Sequence, residues 1–281
     1  MVNLEEYGYI CNQQITNALN VALLCKKPLL IEGAPGVGKT FLAKALSKAL
    51  NYKLIRLQMY EGLTADKILY DYDYQKQLLV LEAIRPTLNF DGMSAQEAIK
   101  KISNEINFYG PEFIIERPVL QSINGSERSV LLIDEMDKAS EENEYVLYEF
   151  LEDYSISIPQ YGTIQCPEDM QPVVVITANN YRELSGALKR RCVYLYLEPK
   201  TEDELYRIIL TQAKVEPQIA KNVARCLSIA ADEKLRQTPS IAEGIELAKA
   251  MQYMDGQDAI SLILKNQKDT EIIQGILEGI M

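Results

Sequence analysis

The sequence predicts an α/β fold in which a parallel sheet is flanked by helices and is followed by a smaller, all-helical domain. Short apolar runs that end in polar or charged residues recur along the N-terminal part of the chain, as expected of buried parallel strands. Segments with helical periodicity separate these runs, as in strand-helix-strand units. From Thr201 onward the pattern is helical only. We therefore predict an α/β core over residues 1–198 and a helical domain over residues 199–281.

The first apolar run, residues 28–31, leads into the eight residues Gly33-Ala34-Pro35-Gly36-Val37-Gly38-Lys39-Thr40. Glycines at this spacing let successive backbone N–H groups face phosphates, while Lys39 can reach the β and γ oxygens and Thr40 can bind Mg²⁺. A helical apolar stripe over residues 41–50 follows. A chance glycine-rich turn is the alternative, but it would not require this setting between a strand and a helix. The segment therefore predicts a phosphate-binding loop for a nucleoside triphosphate, with residues 33–40 as the binding residues.

A second buried strand, residues 129–133, ends in Asp134 and Glu135 and resembles a Walker B motif. Because ligands gather at the carboxyl ends of parallel strands, Asp134 is expected near a Mg²⁺ ion that Thr40 also binds. Glu135 could orient or activate the attacking water, which favours hydrolysis over binding alone. An acidic turn after a core strand is the alternative interpretation.

The remaining elements follow from periodicity and capping signals in chain order. Strands are predicted at residues 52–59, 173–177 and 193–197, and a hairpin at residues 155–164. Helices are predicted from Ser94, Pro118, Ser140, Thr201 and Ser240, and as an apolar stripe from Ile219 to Ala230.

Composition narrows the function classes. The chain has 281 residues, of which 47% are hydrophobic and 25% charged, as is usual for soluble proteins. No apolar stretch approaches the roughly 20 residues of a membrane span, and the N-terminus has no basic region, so we expect a cytoplasmic protein without membrane insertion. Five widely spaced cysteines without a CxxC pattern indicate neither a disulfide framework nor a zinc site.

Charge and the absence of histidine add two further expectations. A net charge of −11 argues against a surface built for nucleic-acid phosphates, and the dense basic cluster is Lys189-Arg190-Arg191. The chain contains no histidine, so we expect carboxylates to carry out any proton transfer. This favours Glu135 as the residue that activates the attacking water.

In this order, the motifs and the C-terminal helices resemble an AAA+ ATPase. The set comprises the phosphate loop, the Asp134-Glu135 strand end, Thr177-Ala178-Asn179 and Ala187-Leu188-Lys189-Arg190-Arg191-Cys192. Residues 29–33, 114–118, 131–138 and 182–192 resemble the MoxR family, especially the branch that includes the carbon monoxide dehydrogenase accessory ATPase CoxD. The resemblance extends over nearly the whole chain. Many nucleoside triphosphatases share the phosphate loop, so the resemblance rests on the whole set of motifs in this order and not on the loop alone.

The resemblance implies roles for further residues. Asn179 matches the sensor-1 asparagine, which would help Glu135 orient water; an ordinary asparagine turn is the alternative. Arg191, or otherwise Arg190, matches the arginine finger that reaches a nucleotide in a neighbouring subunit, with a solvated basic turn as the alternative. Tyr9 and Ile10 match a stretch beside the adenine, although core packing would explain them equally.

Two regions differ from, or extend, the common pattern. Residues between Thr40 and Leu131 correspond to the helix-2 insert of the family, and the hairpin corresponds to the pre-sensor-1 hairpin. Many relatives carry a sensor-2 arginine in the helical lid domain, where this chain has Ala242 at the closest position. Coupling between the lid and the phosphates is therefore expected to be weak or to use another residue.

As a whole, the resemblance implies a Mg²⁺-dependent ATPase that forms a homo-oligomeric ring, typically a hexamer. Such a chaperone-like machine would remodel a protein client in complex assembly or metalloenzyme maturation, with a von Willebrand factor A domain protein as partner. Two alternatives remain open at the level of sequence. One is a nucleic-acid motor on the same core, and the other is a nucleotide switch that does not hydrolyse.

Overall fold

The computed structural model describes residues 2–88, 91–233 and 235–279. In chain order the helices and strands are α1 (Gln13–Leu24), β1 (Leu29–Gly33), α2 (Lys39–Leu50), β2 (Lys53–Gln58), α3 (Ala65–Ile68), β3 (Tyr70–Tyr72), α4 (Tyr74–Ile84), α5 (Ala95–Glu105), β4 (Ile114–Glu116), α6 (Pro118–Ile123), β5 (Ser129–Asp134), α7 (Glu141–Asp153), β6 (Ser155–Ile158), β7 (Gly162–Gln165), β8 (Val173–Ala178), α8 (Gly186–Arg191), β9 (Val193–Leu197), α9 (Glu202–Ala213), α10 (Pro217–Asp232), α11 (Ile241–Ala250) and α12 (Thr270–Glu278).

Five strands form one sheet in the order β2-β5-β8-β1-β9, and every pairing in it is parallel. The prediction of a parallel α/β core is therefore confirmed. Parallel pairing brings the carboxyl ends of β1, β5 and β8 to one edge of the sheet. Strand β8 extends to Ala178, one residue beyond the prediction, so Asn179 follows the strand directly.

Helices cover both faces of the sheet because its strands alternate between two cores. In β5, Leu131 and Ile133 pack on one side with residues of α6 and α7. Val130 and Leu132 pack on the other side with residues of α1 and α2. Buried apolar side chains on both faces explain why the four residues between Ser129 and Asp134 in β5 are all apolar.

The segment between β2 and β5 forms a small appendage. Strands β3 and β4 pair antiparallel, with Tyr70 opposite Glu116, and were not predicted from the sequence. Helix α5 begins with the predicted capping box of Ser94 and Glu97. Helices α4 and α5 bury no side chain among the described residues, so these two helices contribute little to the core, whereas Ile68 of α3 and the apolar residues of α6 are part of it.

After β9 the chain is helical and has a separate apolar core formed by α9, α10, α11 and α12. Capping boxes at Thr201 and Ser240 begin α9 and α11, as predicted. The boundary between residues 198 and 199 stays a prediction, and it falls between β9 and α9.

No helix in the described ranges is long and apolar enough to cross a membrane. All five cysteines are free thiols, and Cys166 and Cys226 are buried in the two parts of the chain.

Candidate nucleotide-binding site

The loop between β1 and α2 has the backbone shape that its glycines permit. Gly36 and Gly38 have φ angles of +82° and +99°, in the left-handed region that favours glycine. A Cβ atom at Gly33 would lie 2.5 Å from the carbonyl oxygen of Leu197 in the neighbouring strand. Helix α2 begins at Lys39, so its N-terminus faces the loop. Backbone N–H groups and the helix dipole both favour an anion at this point.

Lys39 lies inside the curl of this loop. Its Nζ donates hydrogen bonds to the carbonyl oxygens of Gly33 and Ala34 at 2.7 and 2.8 Å, and the residue is 6% exposed. Burial lowers the pKa of the Lys39 ammonium from 10.5 to about 8, although three nearby carboxylates act in the opposite direction. The loop therefore holds a poorly hydrated cation where phosphate oxygens would bind.

Asp134, at the end of β5, forms the centre of a group of hydroxyls. Thr40 Oγ1 donates to its Oδ1 and Oδ2 at 3.1 and 3.3 Å, and Thr177 Oγ1 donates to Oδ1 at 2.6 Å. Hydroxyl and carboxylate oxygens are the hard ligands that Mg²⁺ prefers, commonly together with nucleotide phosphates. Thr40 and Asp134 thus have the right chemistry and proximity to hold Mg²⁺ that accompanies a nucleotide.

Glu135 points to a different set of partners. Its backbone has a φ of +60°, and its N–H donates to Thr177 Oγ1 at 2.9 Å. Asn179 Nδ2 donates to Glu135 Oε1 at 3.3 Å. Gln58 Nε2 and Lys138 Nζ approach Oε2 at 2.7 and 2.9 Å. The left-handed turn separates the two adjacent carboxylates, so each has its own environment.

Asp137 positions the loop that carries Asn179, and the sequence did not single it out. Its buried Oδ2 accepts the backbone N–H groups of Asn179 and Tyr181 at 2.8 and 2.7 Å. In the sequence, Asp137 could have been noticed as a third acidic residue close behind Asp134 and Glu135. The two strand ends are therefore linked by hydrogen bonds from β5 to the loop after β8.

Arg56 and Gln58 also reach the site, and neither was predicted. Arg56 Nε and Nη2 donate to Asp134 Oδ2 at 3.1 and 2.6 Å. Both residues lie on β2, and Gln58 is in register with Asp134. Their spacing in the sequence could have indicated this, because two polar residues at i and i+2 near the end of a strand lie on the same face of the sheet.

A cavity of about 400 Å³ joins these groups to the C-terminal helices. Pro35, Gly36, Val37, Gly38, Lys39, Thr40, Asp134, Glu135 and Asn179 line it, together with Tyr9 and Ile10. Gly33 and Ala34 do not line it, although their carbonyls bind Lys39. Tyr9 stacks on Phe41, with ring centroids 6.0 Å apart. Apolar side chains from the helical part complete the wall, namely Ile208, Ile241 and Ile245. The cavity therefore combines polar groups with apolar side chains, a composition that suits a nucleotide.

Arg190 and Arg191 do not line this cavity. Arg191 Nη2 forms an ion pair with Glu152 at 2.6 Å, and its guanidinium lies 4.6 Å from the Tyr148 ring centroid. Arg190 is exposed. Within one chain the basic segment therefore lies outside the site that holds the phosphate loop.

The fold and the site together define a P-loop nucleoside triphosphatase of the AAA+ class. Residues 28–192 match the family of AAA domains of the dynein-related subfamily, and the chain belongs to that family. Proteins of this class bind nucleotides and generally hydrolyse ATP.

Solved structures with a similar fold include the Holliday junction branch migration motor RuvB of Thermotoga maritima. It shares 19% identity, with 99% of this chain and 68% of that chain covered and a TM-score of 0.45. A point variant of the same motor shares 21% identity, with 99% and 72% coverage and a TM-score of 0.49. Similarity at this level carries no information about the activity of the present chain.

Proposed function

We propose that this protein is a Mg²⁺-dependent ATPase in which Glu135 orients the attacking water. The observation that supports this most directly is the placement of the Glu135 carboxylate. Glu135 lines the same cavity as Thr40 and Asp134, and the Asn179 amide donates to its carboxylate at 3.3 Å. A site for binding alone would need the metal carboxylate but not a second, separately held one.

Each residue has a distinct task in this proposal. Backbone N–H groups of the phosphate loop and the Lys39 ammonium bind the β and γ phosphates. Glu135 accepts a hydrogen bond from the water and aligns it for attack, and Asn179 fixes the carboxylate. Tyr9 and Ile10 bind the base in the apolar end of the cavity.

Thr40 and Asp134 would hold the metal ion. Bound Mg²⁺ supplies positive charge against the phosphate oxygens as charge moves onto the leaving group. Asp134 is buried and accepts a hydrogen bond from Thr40, which sets the orientation of both oxygen ligands.

We further propose that the working unit is a homo-oligomeric ring, in which Arg191 of one subunit acts on the nucleotide of the next. The position of Arg191 outside its own cavity supports this, because an arginine that acts between subunits must lie away from its own site. Ion pairing with Glu152 and packing on Tyr148 would preorganise it. Arg190, which is exposed, is the alternative finger.

The resemblance to the MoxR family supports a specific task for the ring. We propose that hydrolysis drives remodelling of a protein client during complex assembly or metalloenzyme maturation, with a von Willebrand factor A domain protein as partner. Cytoplasmic location and hexameric stoichiometry belong to the same proposal.

Substitution of Glu135 by Gln tests the hydrolytic role. Glu135→Gln should lower ATP turnover by at least about 100-fold, because the amide is a weaker acceptor for the water proton. Binding of a fluorescent ATP analogue should remain within about 3-fold of the native value, since the phosphate loop is unchanged. Phosphate release and analogue fluorescence measure the two quantities.

Glu142→Gln is the matched control, because it removes an exposed carboxylate on α7 outside the cavity. Full turnover in Glu135→Gln would exclude its proposed role. Tight binding with negligible turnover by the native oligomer would indicate a nucleotide switch instead. Stimulation by DNA that declines steeply with salt would indicate a nucleic-acid motor.

A further inference from the structure

The ion pair between Arg56 and Asp134 has no part in the mechanism described above. Arg56 lies on β2, the edge strand of the sheet, and its guanidinium donates twice to Asp134 Oδ2 at 3.1 and 2.6 Å. The Arg56 side chain is 49% exposed, whereas the Asp134 side chain is 3% exposed. A solvent-accessible cation therefore caps a buried carboxylate.

Among the residues that the structure describes, Arg56 is the cation in direct contact with this carboxylate. Oδ1 of Asp134 is used by Thr177 and Thr40, and both of these partners are neutral hydroxyls. Lys39 acts on Asp134 through space only, since its hydrogen bonds go to loop carbonyls, and Lys138 pairs with Glu135. A buried carboxylate without a counter-charge is costly, so Arg56 stabilises its ionised form.

Two cations cannot use the same oxygen without a cost. The proposed metal site consists of Asp134 and Thr40, and Arg56 donates to an oxygen that also accepts from Thr40. Because half of the Arg56 side chain is exposed, its guanidinium can move into water without losing hydration. Gln58 Oε1 already accepts a hydrogen bond from Arg56 Nη2 and gives the displaced group a neighbouring partner.

We propose that Arg56 is a displaceable counter-ion that competes with Mg²⁺ for Asp134 and so raises the Mg²⁺ concentration needed to tighten ATP binding. This inference rests on the proposed function, because it assigns a regulator to the same metal site. Free Mg²⁺ concentration would then set how much of the protein holds ATP in the metal-bound form.

Binding of a fluorescent ATP analogue, titrated with Mg²⁺ after EDTA treatment, tests the proposal without measuring activity. Arg56→Gln should reach half of the Mg²⁺-dependent gain in affinity at an Mg²⁺ concentration about 3- to 10-fold lower than the native protein. Arg56→Lys keeps the charge but loses the two-point contact, so its midpoint should lie between them.

Lys53→Gln is the matched control, because it removes the same charge from an exposed position on the same strand. Its midpoint should equal the native value. An Arg56→Gln midpoint that is unchanged or higher would overturn the proposal and indicate a purely positioning role. Arg56→Lys serves as the test if Arg56→Gln fails to bind the analogue in EDTA.

Failure of this inference is distinguishable from failure of the proposed function. A native protein that hydrolyses ATP but has the same midpoint as Arg56→Gln would exclude the competition alone. A native protein that binds no ATP analogue, with or without Mg²⁺, would exclude both.

Discussion

Two adjacent carboxylates serve the site from different surroundings. Asp134 is buried among Thr40, Thr177 and Arg56, whereas Glu135 meets Asn179 and other donors at the cavity edge. The left-handed backbone at Glu135 turns the second side chain away from the first. In the proposed mechanism, this turn lets Asp134 hold the metal while Glu135, fixed by Asn179, orients the water.

Asn179 tests whether the orientation of Glu135 matters for turnover. We expect Asn179→Ala to lower kcat by about 10- to 100-fold, because Glu135 Oε1 loses the amide that fixes its direction. ATP affinity should change by less than about 3-fold, since Asn179 donates to a carboxylate and not to the loop. Steady-state kinetics and analogue binding separate the two quantities.

Asn104→Ala, at an exposed position on α5, is the control and should leave both quantities unchanged. A loss of affinity in Asn179→Ala that matches the loss in kcat would contradict the positioning role. Asn179 would then act mainly on ground-state binding.

Candidate site residues that lie in continuous motifs were predicted from the sequence. Those that are distant in sequence and become neighbours only in the folded chain were not. The phosphate loop, residues 33–40, begins at the end of β1, and Asp134 and Glu135 lie at the end of β5. Both the motif and its place after a buried strand could therefore be recognised in the sequence. Gln58 and Arg56 are more than seventy residues from their carboxylates, and pairing of β2 with β5 joins them. No local pattern specifies which strand is the neighbour of another.

Among helices and strands, those with a capping box were predicted, whereas the long helices α1 and α4 and the short strands β3 and β4 were not. Capping boxes at Ser94, Thr201 and Ser240 formed as predicted, because two residues three positions apart define each. The three-residue strands β3 and β4 are too short for a period to show, and their pairing joins segments more than forty residues apart. Helix α12 was not predicted from the sequence. In the structure, the side chain of Asp269 at its N-terminus makes no capping hydrogen bond.

Packing of α11 against α10 depends on Gly244. A Cβ atom there would overlap the Leu227 Cδ1 atom and lie 3.1 Å from Cγ, and Leu227 is buried. We expect Gly244→Ala to destabilise the helical part by about 1–2 kcal/mol, because the added methyl forces repacking that outweighs the helix propensity of Ala. Urea unfolding followed by circular dichroism measures the change.

Gly275→Ala is the matched control on α12, where a Cβ atom would meet no atom within 4 Å. It should stabilise the protein by about 0.5–1 kcal/mol through helix propensity alone. Equal shifts of the same sign in the two variants would contradict the tight contact at Gly244.

At the scale of the whole molecule, the helical part and the phosphate loop meet directly. A Cβ atom at Gly36 would lie 2.7 Å from the Cβ atom of Ser240, the residue that caps α11. Ala242, an uncharged residue of α11, also lines the cavity. We predict that this contact between loop and helix transmits nucleotide binding to the helical part.

In the proposed ring, two neighbouring subunits share each nucleotide site. Arg191 and Arg190 lie outside the cavity of their own chain, so an isolated subunit would lack the charge that this account assigns to the transition state. Oligomerisation would then be a condition of activity and not only of stability.

The most direct test is ATP hydrolysis measured against protein concentration while Arg191→Ala is mixed into the native chain. We expect specific activity to rise steeply with concentration and to fall faster than the native fraction, because each variant subunit also disables its neighbour. Arg190→Ala in the same assay identifies which arginine acts. Activity that is linear in concentration and falls only in proportion to dilution would contradict the shared site and leave a self-contained ATPase.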